Sequence, residues 1–127
     1  MRNIFNTISE RFSEIDLATF LNDSIARIAY LAKKLGRVAT RQLLILYYVL
    51  ADGDLPAGRK ALVYAALAYV LIPGDLIPRR VFHLLGLTDD ALAIAYVIRQ
   101  VRDNITPQIL QKVDMQLDKW FGYEVMM

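Results

Sequence analysis

Two apolar runs, residues 43–51 and 61–72, constrain the fold of this chain more than any other feature. The first lies in QLLILYYVLA, which offers no polar face at any helical phase beyond its leading glutamine. A helix that is apolar all round is buried at the centre of a fold or lies within a bilayer. Both runs fall short of the roughly 17–25 apolar residues of a spanning helix. Buried core helices or re-entrant segments are therefore expected, and a full membrane span is not. Composition agrees, since 56% of the 127 residues are hydrophobic against a usual share of roughly 45–50%. Mean hydropathy is +0.33. Such a surplus belongs to a greasy bundle or to a chain that meets lipid.

The periodicity is helical throughout, with no sustained period-two alternation and no β-branched runs. TISE at 7–10 has the form of a capping box opening a first helix that carries Ile8, Phe12, Ile15 and Phe20. Asn22 or Asp23 is expected to cap a second, in which Ile25, Ile28, Ala29, Ala32 and Leu35 repeat at helical spacing. Gly36 then stands as a C-cap or a kink, and a third helix runs from Arg37 into the first apolar run. ADGDLPAG ends it, with Asp54 ahead of Pro56 as cap for a fourth helix over 57–72. Pro73, Gly74 and Pro78 break the chain in a tight reversal at 73–78, followed by a short helix over 79–85. Thr88 is expected to cap a helix from Asp89 to about Asp103, and Ile105–Pro107 to open the last. In that last helix Leu110, Val113, Leu117 and Phe121 make one stripe. The expectation is all-α: a single compact domain over 1–127, a bundle of about five to six helices.

Chemistry has few places to sit. Cysteine is absent and histidine occurs once, which excludes disulfides and the usual zinc spacings. No cofactor is implied. Asp75, Asp89 and Asp90 are carboxylates beside apolar residues, and a short helix between the first and the other two would fold them toward one point. Converging carboxylates bind Mg²⁺ or Ca²⁺ or share a proton. The structural alternative is that Asp75 is a turn acid and that Asp89 and Asp90 complement a helix N-terminus. His83 has no serine or cysteine nucleophile near it in sequence, so no triad is indicated, and no catalytic residue is assigned.

Charge is more informative. The net value is only +2, yet Ser24–Ala51 contains no acid, while Arg27, Lys33, Lys34, Arg37 and Arg41 all fall there. A basic face beside apolar helices suits an anionic lipid surface, where each cation contributes about 1 kcal/mol. Its alternative is a solvated helix face. Nucleic acid is not expected, because Tyr30, Tyr47 and Tyr48 do not alternate with the cations as a stacking platform would. The N-terminus MRNIFNTISERF has neither the apolar core nor the cleavage site of a secretory signal, so secretion is not expected.

The stretch ALAYVLIPGDLIPRRVFHLLGLTDDALAI resembles the signature of the YkvA-like family of small bacterial proteins and domains of unknown function. Pro73, Asp75, Leu76, Ile77 and Pro78 fit its P-x-D-L-I-P element, and Gly86, Asp89 and Asp90 fit its G-x-x-D-D element. The resemblance runs over about 33–122, leaving 1–32 as an N-terminal helical extension. It departs at Arg79, where the family carries an acid, so a ligand of any family metal site is replaced here by a cation. The resemblance implies a helical, hydrophobic, often membrane-assigned protein with no established activity; the expected location is the cytoplasmic face of a bacterial inner membrane, or the cytoplasm if the protein is soluble.

Three readings follow. The leading one is a non-enzymatic, membrane-associated helical protein in which Asp75, Asp89 and Asp90 are a structural polar cluster. The second is a metal-binding module or metal-dependent enzyme using those aspartates. The third is a soluble bundle that binds a protein partner or a second copy of itself.

Overall fold

The computed structural model describes residues 17–72, His83 and residues 90–122. Among them four α-helices occur and no strand: α1 (Leu17–Asp52), α2 (Ala57–Leu71), α3 (Asp90–Gln100) and α4 (Pro107–Phe121), with a 3-10 turn at Arg102–Asn104. The all-α class is as expected. The number among the described residues is four rather than five or six. The expected TISE cap at 7–10, the reversal at 73–78 and most of the short helix at 79–85 lie outside the described residues. The other difference is physical: residues 17–21, the described end of the expected first helix, run on without a break into the second, whereas the expected division between the second and third is found at Gly36, a kink inside α1.

Asn22 and Asp23 cap nothing, because the helix runs straight through them and leaves both exposed in its interior. What divides α1 is Gly36, at φ 82° and ψ 172°. An L side chain rarely adopts that backbone, whereas glycine reaches it without steric cost. A straight helix of 36 residues would be about 54 Å long, but the contacts of α1 show that it turns back. Phe20 meets Tyr64 edge to face, with ring centroids 4.8 Å apart, and Arg27 Nη1 donates to the Leu71 carbonyl at 3.2 Å. Both pairs are 44 residues apart in sequence, so residues 17–35 run parallel to α2. Residues 37–52 reach α2 through only the four residues of Gly53–Pro56, a connection short enough to lay neighbours antiparallel. The chain reverses direction at Gly36.

Helix α2 is the reason the bundle closes. Ala61–Tyr69 are nine consecutive buried residues, and nine residues cover every phase of a 3.6-residue turn. Such a helix needs cover on all sides. Residues 17–35 present the row Phe20, Ser24, Ile28 and Ala32, each four after the last. Residues 37–52 add Leu43, Leu44, Leu46, Val49 and Leu50, and α3 adds Ala93, Ile94 and Val97. The expected fourth helix over 57–72 is therefore found almost to the residue, but its cap is not Asp54. Pro56 occupies the N-cap position with no side-chain bond to the helix amides. Just before it the chain passes so close that a Cβ on Gly53 would collide with the Val49 carbonyl oxygen.

The third run of sequence signals fares unevenly. α3 ends at Gln100 rather than near Asp103, because the backbone tightens: Asn104 N donates to Val101 O at 2.8 Å and Ile105 N to Arg102 O at 3.2 Å. α4 then opens within 105–107 as expected, and Thr106 is its cap, the hydroxyl accepting from Ile109 N at 3.2 Å, with Pro107 in the first turn. Ile109, Val113 and Leu117 are the buried row of α4, with Leu110 and Phe121 half-buried beside it. This helix lies against α1, and two ion pairs fix the antiparallel register. Arg37 Nη2 meets Asp118 Oδ1 at 2.8 Å, and one turn along Arg41 Nε meets Asp114 Oδ1 at 3.4 Å.

Two expectations follow. Gly36→Ala should cost about 1–3 kcal/mol, all of it backbone strain, since a Cβ there meets nothing within 4 Å. Gly58→Ala, equally open but inside α2, should stabilise by about 0.5–1 kcal/mol. Denaturant unfolding of the two variants checks this, and shifts of the same sign would contradict a left-handed Gly36. For the half-exposed Arg37–Asp118 pair, a double-mutant cycle should give a coupling of about 0.2–1 kcal/mol. Arg37→Ala should cost more than Asp118→Ala, because the guanidinium also stands 5.9 Å from the centre of the Phe121 ring. Equal single costs would mean that this ring contact contributes nothing.

Candidate functional site

The five cations singled out between Arg27 and Arg41 divide into two groups. Arg37 and Arg41 turn onto α4 and face carboxylates. Arg27, Lys33 and Lys34 are exposed, and among the described residues no carboxylate pairs with them. Arg27 still has a structural duty, since Nη1 holds the last carbonyl of α2. Lys34 Nζ stands 5.6 Å from the centre of the Tyr30 ring, a cation–π pair at helical i, i+4 spacing. A shallow groove of about 410 Å³ runs between Asp23, Ala26, Arg27 and Tyr30. Among the described residues Asp23 is the acid at its rim.

Apolar side chains interleave with these cations. Tyr30 is 75% exposed, Val38 77% and Leu35 37%. The expected stripe of Ile25, Ile28, Ala29, Ala32 and Leu35 is therefore half right: Ile28 and Ala32 are buried, Ile25 is half-buried, and Ala29 and Leu35 face out. The row that packs advances by four residues from Phe20, and Leu35 falls off it by one. Val38 is turned out by the bend. Arg37 is drawn to Asp118 and Thr40 is fully buried, and Val38, about 130° round the helix from the midline of those two, points away from the bundle. These exposed apolar residues escaped the reading of the sequence. The signal that could have found them is Leu35 and Val38 flanking a glycine next to two lysines.

The opposite end of the bundle carries a second polar region. A cleft of about 360 Å³ is lined by Asp52, Asp54, Asp103, Asn104, Thr106 and Lys112, among others. Several of its groups are engaged with each other or with Arg59. Lys112 Nζ meets Asp52 Oδ2 at 2.8 Å, Arg59 Nη1 donates to Asn104 Oδ1 at 3.2 Å, and Asn104 Nδ2 reaches the Asp54 carbonyl at 3.5 Å. This is a clasp between the connection after α1 and the turn before α4. Nearby, Tyr47 and Tyr48 pack edge to face, 5.0 Å between centroids. Burial first, then neighbouring charge (Tyr48 and Asp52 for Tyr47, Asp52 for Tyr48), pushes both phenols above the ordinary tyrosine range. Both hydroxyls stay protonated at neutral pH.

Of the remaining sequence candidates, Asp75 and Asp89 lie outside the described residues, and Asp90 is described only as the first residue of α3. His83 is exposed, its ring centre 6.4 Å from that of Tyr69 at the end of α2. Among the described residues no three His, Cys, Asp or Glu side chains gather to hold a metal ion. Nor is any described helix long and apolar enough to cross a membrane.

No curated protein and no solved structure matches this chain. A family model does, over most of α2, the segment that follows it and the first two turns of α3. Residues 59–96 match the family described as a protein of unknown function (DUF1232), a small helical domain, in agreement with the YkvA-like signature read at 66–94.

Proposed function

We propose that this chain is a non-enzymatic helical protein that associates peripherally with membranes, docking the bend of α1 on anionic lipid. The observation that carries the reading is the sorting of charge along α1. Arg37 and Arg41 are matched by acids of α4, whereas Arg27, Lys33 and Lys34 are exposed and unmatched among the described residues. Three cations at a membrane surface sum to about 3 kcal/mol, on the order of a hundredfold in affinity. Association of this kind needs no spanning helix, and none is found among the described residues. The reading assigns no reaction to Asp75, Asp89 or Asp90, and it makes the cytoplasmic face of a bacterial inner membrane the natural location.

Co-sedimentation with vesicles tests it. The protein should pellet with phosphatidylcholine vesicles containing phosphatidylglycerol, much less with phosphatidylcholine alone, and salt at several hundred millimolar should weaken the binding. Lys33→Gln with Lys34→Gln should lower affinity on the order of 30-fold. Arg99→Gln, an exposed cation on α3, should leave it unchanged. Wild-type protein that stays in the supernatant with anionic vesicles would sink the proposal.

A further inference from the structure

Resting on the lipid reading above, we propose that the bend of α1 is an insertion wedge: Tyr30, Leu35 and Val38 enter the acyl region while Lys33, Lys34 and Arg27 stay at the headgroups. Five large hydrophobic side chains are exposed among the described residues: Tyr30, Leu35, Val38, Leu92 and Met115. Three of the five fall within nine residues of one another, on the two sides of Gly36. Scattered exposed apolar residues are ordinary on a soluble surface, but a concentration of them marks an interaction site.

The geometry supports insertion rather than contact alone. The two limbs of α1 both pack into the core and meet at Gly36, beside which Leu35 and Val38 stay exposed. Val38 follows Arg37 by one residue, about 100° round the helix, so the ion pair that draws Arg37 to Asp118 also aims Val38 outward. Lys33 and Lys34 precede Leu35 directly, on flexible stems that let an ammonium stay at headgroup level while the apolar residue beside it goes deeper. Tyr30, with the Lys34 ammonium near its ring, has the amphipathic character of an interfacial aromatic.

Charge complementarity selects the occupant. A nucleic acid would use the cations and gain nothing from Val38 or Leu35. An apolar protein surface would have to supply acids for the unmatched lysines. An anionic bilayer satisfies both at once, with headgroup phosphates above hydrocarbon, and the stretch from Ser24 to Ala51 carries no acid to repel it, Asp23 at the edge of the groove being the nearest in sequence.

The experiment uses full-length protein and phosphatidylcholine–phosphatidylglycerol vesicles. Val38→Asp should lower vesicle affinity at least tenfold, and Val38→Ser several-fold, with helicity and thermal midpoint unchanged because Val38 is 77% exposed. Val38→Trp, against the background of Trp120 as the sole native tryptophan, should gain emission that is quenched by lipids brominated along the acyl chain. Vesicle binding that survives Val38→Asp, with no added quenching in Val38→Trp, would overturn insertion while leaving headgroup docking in place. Absence of vesicle binding by the wild-type chain would overturn both.

Discussion

Everything in this bundle follows from a helix that has no outside. With Ala61–Tyr69 buried through more than two turns, α2 cannot be stable as a surface helix, because any uncovered phase would leave apolar surface in water. Its walls come from few elements. One of them, α1, serves twice by doubling back at Gly36, so that a single helix covers two sides. The bend is thus not an ornament on a long helix. It is the means by which a short chain surrounds its most apolar segment, and a positive φ that only glycine tolerates well is what makes it sharp.

The same bend decides the distribution of charge. Beyond Gly36 the helix is laid against α4, where Arg37 and Arg41, four residues apart, meet Asp118 and Asp114, also four apart. Exposed pairs of this kind contribute little stability each, and their larger effect is to set register and to neutralise two of the five cations. Before Gly36 the helix faces α2, which carries no acid. Among the described residues no carboxylate pairs with the cations on that limb, and Arg27 and Lys34 meet only the Leu71 carbonyl and the Tyr30 ring. One basic stretch in the sequence thus divides in two, Arg37 and Arg41 paired with acids of α4 and Arg27, Lys33 and Lys34 without a carboxylate partner among the described residues.

Local signals were the legible ones. The span of α2 could be read from the run 57–72, and the start of α4 from Thr106 and Pro107, because each depends on neighbours within a turn. Where the outcome depended on distant residues the reading went astray. Asn22 and Asp23 have good capping side chains, yet the core row from Phe20 to Ala32 runs across them and tertiary burial overrides the local preference. Asp54 looked like a cap, but the chain enters α2 through Pro56, and the Asp54 carbonyl accepts from Asn104 instead. Gly36 was open between cap and kink, which sequence spacing alone does not separate. The partners of Arg37 and Arg41 lie 81 and 73 residues away, so nothing near them in sequence could have told them apart from Lys33 and Lys34.

The matched family segment adds a last step. It covers residues 59–96, the helix that must be buried and much of the helix that covers it. That is the part in which burial dictates the residue types. The cationic bend of α1 lies wholly outside that segment, and so does α4, whose acids set how much of the basic stretch remains uncompensated. The matched segment is thus the one whose residue types burial dictates, while the side chains that the bend at Gly36 leaves outside the core, Leu35 and Val38 among them, lie beyond it on α1.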